Sequence, residues 1–544
     1  MKIEGNVIDI PNRNIFSGEL TVREGVIVAI KSTGKSYSKY ILPGLVDAHV
    51  HIESSMLVPS QFARLAVLHG TVATVSDPHE IANVMGIEGV KYMIDDGNRS
   101  PLKFFFGAPS CVPATDFETA GAKIDPDGIR EILTMPGVKY LAEMMNYPGV
   151  IADDPEVAEK LEIAKSLGKP IDGHAPGVRG DNLEKYIAAG ISTDHESSVY
   201  EEGREKLNLG MRLLIREGSA AKNFEALIGL LPEFSDQIMF CSDDKHPDDL
   251  LNGHINQLVA RALAKGFDLF DILRAACLNP VEHYGLEVGQ MKIGDHADFI
   301  ISEDVTQFDQ ITTYIDGQRV AEAGSSFVET VAAPVINSFY ARELEEEDFH
   351  IVQEGESIRV VQAVDGEIVT QSFEAPVKIE NKLAVSCVDS DILKFTVVNR
   401  YDQSPPSLAF IHGFGLKHGA IASCVGHDSH NIIAVGVDDY SIQSVVNEVM
   451  KNKGGIAAGG SGKIESLPLP VGGIMTNGDA YEVADLYQQI DQFTKAELGC
   501  SLQAPFMTLS FMALLVIPTL KLGDKGLFDG TRFQFTDLFV DPVT

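Results

Sequence analysis

A short apolar run ending in a polar residue recurs eight times between positions 45 and 244, and no other feature limits the fold so strongly. The runs are LVDAHVHIE (45–53), TVATVSD (71–77), KFFFGAPS (103–110), YLAEMM (140–145), PIDGHA (170–175), ISTDHES (191–197), MRLLIREGS (211–219) and IMFCSDD (238–244). Helical segments fit most of the gaps, for example PSQFARLAVLHG and DPEVAEKLEIAKSLG. The first has Pro59 near its start and Gly70 past its end, as helix punctuation requires. Eight strand–helix units in about 240 residues predict an α/β fold, a (β/α)8 TIM-like barrel. A doubly wound open sheet is the alternative for the same pattern.

With 544 residues, the chain is too long for one compact core and calls for two or three domains. Ahead of the barrel segment (43–288), residues 1–42 read as short strands: NVIDI, ELTVREGVIVAI and KYILPG. Residues 289–340 are β-rich as well, with HADFIIS and TTYIDGQRVAEAG. Neither stretch closes a core alone, so the two are expected to pair into one composite small β-domain. Residues 341–544 form a C-terminal α+β domain, opened by the acidic run ARELEEEDF, a linker or exposed helix. In it, SIRVVQAV, EIVTQSF and ILKFTVVNRY alternate like strands, and DDYSIQSVVNEVMKNKGG reads as a helix started by Asp438 or Asp439 and stopped by Gly454. The longest apolar run, Phe506 to Ile517, is shorter than the roughly 20 residues of a spanning helix and reads as a buried core helix ended by Pro518.

Charge narrows the range of partners. The balance of 43 Lys+Arg against 78 Asp+Glu leaves a formal charge of −35, which repels nucleic acid and anionic membranes. No basic stretch followed by an apolar one opens the chain, so no secretory signal is visible. Six scattered cysteines without a CxxC pair suit a reduced cytoplasmic protein and argue against a zinc ribbon. The expected partners are a small-molecule substrate and further copies of the chain, as a homodimer or other homo-oligomer.

The chemistry is written at the strand ends. His49 and His51 stand at i and i+2 of the first run, on one face of a strand, where both rings reach one ion. Glu143 closes the fourth run, His174 the fifth, His195 the sixth and Asp243 the eighth. Active sites of such barrels form where the strands end. Six nitrogen and oxygen donors at one mouth suit two divalent ions bridged by a carboxylate, and without a thiolate the candidates are Mn²⁺, Fe²⁺ or Zn²⁺. Such a centre activates water near neutral pH, and Asp243 is the natural carrier of its proton to a leaving group. The reaction class is hydrolysis at a trigonal carbon.

The strings PGLVDAHVHIESS, HEIANVMG, FGAPSCVPAT, AEMMNYPGV, DGHAPG, STDHES, FCSDD, LNPVEHYGL and HGFGLKHGAIASCVGHDSHNIIAVG resemble adenine deaminases of the amidohydrolase superfamily. The likeness runs over nearly the whole chain. It implies hydrolysis of adenine to hypoxanthine and ammonia with Mn²⁺ or Fe²⁺, and matches His49, His51, Glu143, His174, His195 and Asp243 to the family's metal and catalytic positions. Many superfamily members carry a carboxylated lysine where Glu143 stands, which sets this chain apart from dihydroorotase-like relatives. The competing readings are a hydrolase of cyclic amides or N-acyl amines and a metal-binding protein without turnover. Zinc deaminases acting on flipped bases are excluded, because they need a PCxxC pair beside their HxE.

Other polar residues have two readings each. Glu53 either faces the mouth and protonates a ring nitrogen or caps the next segment. Asp77 and His79 either orient metal ligands and substrate or begin a helix, with Asp77 or Ser76 as its cap. Ser110 contacts substrate or simply packs. His427 and His430, in the HDSHN string, belong to a structural turn or to a flap of the C-terminal domain that folds over the mouth to supply substrate contacts or a further metal site.

Overall fold

The computed structural model describes residues 1–460 and 462–540. Each of the eight runs forms a strand: Leu45–His51, Thr71–Ser76, Lys103–Ala108, Val138–Met144, Ile171–Gly173, Thr193–Asp194, Arg212–Arg216 and Ile238–Cys241. The first to the fifth pair in parallel in that order, as do the sixth to the eighth. The eighth resumes at Asp243–Asp244, which pairs with the first and sets Asp243 opposite Val50. Between the fifth and sixth strands the seam is thinner: Ser192 N–H donates to Ile171 O (2.9 Å), and Asp194 accepts from Ala175 N–H (3.1 Å). The ring is thus a parallel barrel and not an open sheet.

One buried carboxylate reinforces the closure. Asp47, inside the first strand, accepts from Ser242 N–H (3.0 Å) and from the Ser242 hydroxyl on the eighth. It also meets His254 Nε2 at 2.7 Å, and the other nitrogen of that ring meets Thr71 Oγ1 of the second strand at 2.7 Å. A carboxylate this deep is tolerable only when fully hydrogen-bonded, and here its bonds tie neighbouring strands together.

The punctuation read from the sequence holds for the helix after the first strand, which runs Pro59–Ala66 and ends, through one tight turn, at Gly70 with φ +83°. The helix after the second strand differs. His79–Met85 has Pro78 in the cap position and no side-chain cap, while Asp77 Oδ1 accepts from His79 N–H at 3.1 Å.

Strands from both sides of the barrel segment share one eight-stranded sheet. Lys2–Asp9, Asn14–Arg23 and Val26–Ser32 form an antiparallel meander, so the run ELTVREGVIVAI is broken by a turn at Glu24 and Gly25. Tyr40–Pro43 then pairs in parallel with the first of these and antiparallel with Phe299–Ser302, from which the sheet continues to Ser326.

The C-terminal part is built on a second eight-stranded sheet of mixed direction between Ser357 and Pro468. The helix Asp439–Lys451, capped by Asp438, lays Ile442, Val445, Val446 and Val449 on Ala420, Ala422, Ala434 and Ala457, where small residues let the helix approach. The acidic run makes one tight turn, Glu346–Phe349, anchored by buried Phe349. The apolar run 506–517 is buried but only half helical. Its helix is Pro505–Ser510, and the chain then proceeds by i→i−3 turns, because Phe511 and Leu514 are turned toward the barrel mouth. This part docks on the barrel through a continuous apolar core, an Arg64–Asp479 ion pair (2.6 Å) and a Tyr487 OH–His246 Nδ1 contact (2.5 Å). No helix among the described residues is long and apolar enough to cross a membrane.

Candidate active site at the barrel mouth

The six strand-end donors converge. Glu143 Oε1 lies 3.3 Å from His51 Nε2, while its Oε2 lies 2.8 Å from His174 Nδ1 and 3.1 Å from His195 Nε2. Asp243 Oδ1 is 3.3 Å from His51 Nε2 and 3.8 Å from His49 Nε2. His49 and His51 present Nε2 to each other at 3.1 Å, and the His49 ring stacks on His195. Ligand bonds of about 2.1 Å put neighbouring donors roughly 3.0–3.4 Å apart, so these spacings fit cations. Ring nitrogens turned toward one another and a carboxylate splitting its oxygens between histidines fit two ions better than a hydrogen-bond network.

Local backbone and neighbours aim these groups. His51 faces Asp77 O with Nδ1 at 3.2 Å, which leaves Nε2 for the centre. Asp243 stands at φ +56°, a left-handed conformation tolerated best by Asp, Asn and Gly. Burial pushes the Asp243 carboxyl up, but Arg216 and His51 more than reverse this and hold it well below the usual range. Glu143 is likewise raised by burial and lowered further by His174 and His195, so both carboxylates are ready as anions.

The remaining candidates are scattered around this centre. His79 lines the cavity, its Nδ1 3.2 Å from Asp77 Oδ2 and 3.5 Å from Glu143 Oε1. Asp77 stands behind it, accepting from the His79 backbone N–H and lying against its ring. Glu53 is not among the residues lining the cavity. One of its oxygens accepts from Ile81 N–H (3.1 Å), and burial pushes its carboxyl up to about 7. The Ser110 hydroxyl donates to Glu143 O (2.5 Å) and lines a separate cavity next door. The HDSHN string lies over the mouth: His427 lines the cavity, and His430 sits behind it with Nε2 2.5 Å from Glu80 Oε2. Glu80 also contacts His427 Nδ1, so one barrel carboxylate holds both histidines of the other part.

Five charged cavity residues were not singled out as candidates in the sequence. Arg216 ends the seventh strand, grips Glu196 through two contacts (2.5 and 2.9 Å) and pairs with Asp243. The seventh was the strand without an assigned polar end, and that vacancy was the available signal. Glu196 and Asp244 are the chain neighbours of assigned ligands, Glu80 follows His79, and Asp428 lies between His427 and Ser429. Nothing in their local patterns separates them from solvated acids.

Comparison with known proteins gives this geometry a lineage. Residues 40–320 match the amidohydrolase family, and residues 367–534 match the adenine deaminase C-terminal domain. A protein named adenine deaminase from Sulfurovum sp. is 54% identical over 537 residues, covering 99% of each chain. The chain belongs to the adenine deaminase family. Others of that name, from Salinibacter ruber (52% identical) and Methanosarcina barkeri (51%), match 99% and 98% of this chain and 99% of their own. The family's C-terminal domain brings Ile368, His427, Asp428, Phe511 and Leu514 to the cavity, facing the barrel's donors.

Proposed function

We propose that this chain hydrolyses adenine to hypoxanthine and ammonia, with two divalent ions, Mn²⁺ or Fe²⁺ (Zn²⁺ being the other candidate), held by His49, His51, Glu143, His174, His195 and Asp243. The observation that carries the reaction class is the division of Glu143, whose two oxygens face histidines of the first, fifth and sixth strands. The family relationship over the full length carries the substrate. Divalent ions held there supply an acidified water and an electrophilic pull on the ring.

The residues do the rest. Water adds to C6, the C6–N bond to the exocyclic amine breaks, and the proton lost by the water leaves with the amine as ammonia. Asp243, beside both His49 and His51, carries that proton. Arg216, bonded to the other oxygen of Asp243, fixes the direction in which the carboxylate faces. His79 supports Glu143 and borders the bound base. Met145 from the barrel and Ile368, Phe511 and Leu514 from the C-terminal part wall off solvent.

Metal removal tests this directly. Chelation is expected to abolish adenine-dependent ammonia release, by roughly 10⁴-fold or more, and Mn²⁺ to restore it at two equivalents per chain. A fully metal-loaded protein that leaves adenine intact but opens dihydroorotate or hydantoin would overturn the proposal.

A further inference from the structure

Setting the metal donors aside leaves a second group of polar side chains around the cavity, and most of them satisfy one another. Arg216 pairs with Glu196 and Asp243. Asp244 Oδ1 accepts from the Ser54 hydroxyl at 2.5 Å, and Glu80 holds His427 and His430. Among the carboxylates that line the cavity, Asp428 is held by the fewest contacts. It is only 2% exposed, its Oδ1 meets His79 Nε2 at 3.5 Å, and its Oδ2 has no hydrogen-bond partner among the described residues. A buried carboxylate oxygen left in that state is costly, and a donor supplied by a ligand removes the cost.

The surroundings define the ligand. Phe511, Leu514 and Ile368 make an apolar wall beside Asp428, and Phe511 stacks on His427 with ring centres 4.7 Å apart and planes 10° from parallel. Lys521 fixes that wall by donating to Ile368 O (2.8 Å) and Phe511 O (2.9 Å). The His79 ring bridges Asp428 and Glu143, 3.5 Å from each, so Asp428 borders the same cavity as the metal donors.

We propose that Asp428 selects the free base by accepting the N–H of the purine's five-membered ring. The inference rests on the reading that adenine is the substrate. Adenine always carries one such hydrogen, on N7 or N9, whereas a base substituted at N9 has none. A site built around a hydrogen bond to a substrate N–H rejects the analogue lacking it by about 10⁴-fold, because the carboxylate then stays buried without a donor.

The test compares kcat/KM for adenine and 9-methyladenine in the metal-loaded enzyme and in D428N. A methyl group is small enough to separate loss of the hydrogen from exclusion of a sugar. The wild-type protein is expected to prefer adenine by at least about 10³-fold. In D428N, whose amide can accept from N–H or donate to a ring nitrogen, adenine turnover should fall about 10²-fold and the preference should shrink below about 10-fold. Bound-metal analysis confirms that the variant retains its centre. The wild-type comparison needs no variant, so equal rates on both bases overturn the inference even if D428N does not fold. An unchanged preference in D428N also overturns it, while leaving adenine deamination standing. Failure of the metal-loaded wild type to act on adenine at all overturns the underlying function instead.

Discussion

The two walls of the cavity are built on opposite plans. The barrel wall consists of strand ends, and its charged groups are locked to each other: Glu143 to three histidines, Asp243 to Arg216, Arg216 to Glu196. The C-terminal wall consists of loops and turns, with Phe511, Leu514 and Ile368 giving shape and Asp428 left with an oxygen to spare. The first wall suits fixed chemistry and the second suits recognition. On the reading proposed above, the barrel supplies the reacting centre and the C-terminal part supplies the choice of substrate.

The contrast is open to attack. Its strongest claim is that the barrel wall is a mutually dependent charge network. R216M strands Glu196 and Asp243 as buried anions and is expected to cost about 3–5 kcal/mol of unfolding free energy, measured by denaturant titration. A loss below 1 kcal/mol would mean that the network is not interlocked. Next is the seam between the walls. E80Q removes one of the two acceptors that hold His427 and His430, and should raise KM for adenine about 10- to 100-fold while two metal equivalents remain bound. Loss of metal in E80Q would instead make Glu80 part of the metal centre.

The last expected effect concerns the C-terminal wall alone and is small at any one pH step. Burial lowers the Lys521 amine to about 7, from an ordinary 10.5. Between those values the unfolded chain binds a proton that the folded one does not, so this residue makes stability increase with pH, and the contribution is lost as pH falls back to about 7. The slope is about 1.4 kcal/mol per pH unit. K521M should flatten stability against pH across that window; an identical slope in variant and wild type would show that the amine is solvated.

The same contrast explains what the sequence made legible. The barrel's candidate ligands sit at a repeated position, the end of an apolar strand, and that position points to His49, His51, Glu143, His174, His195 and Asp243. The flanking strands carry a weaker signal of the same kind, because strands without enough neighbours must find them elsewhere. Asp428, Phe511 and Ile368 share no such position. They are more than 50 residues apart in pairs and meet only after docking. The run 506–517 misleads for a related reason: apolar content marks it as buried, but the direction of each side chain depends on a surface that this segment does not encode. Glu53 was a fair candidate two residues after His51, yet the chain turns at Ile52–Ser55 and gives its carboxylate to Ile81.

The sheet shared by both flanks of the barrel has a consequence for biosynthesis. Tyr40–Pro43 presents one open edge until Phe299–Ser302 is made to cover it. At ordinary translation speeds the delay is on the order of tens of seconds, while an unpaired strand trails behind a growing polypeptide. Chains truncated before Phe299 should therefore expose a sticky margin, and the nascent protein has reason to stay with a ribosome-associated chaperone until that late strand arrives.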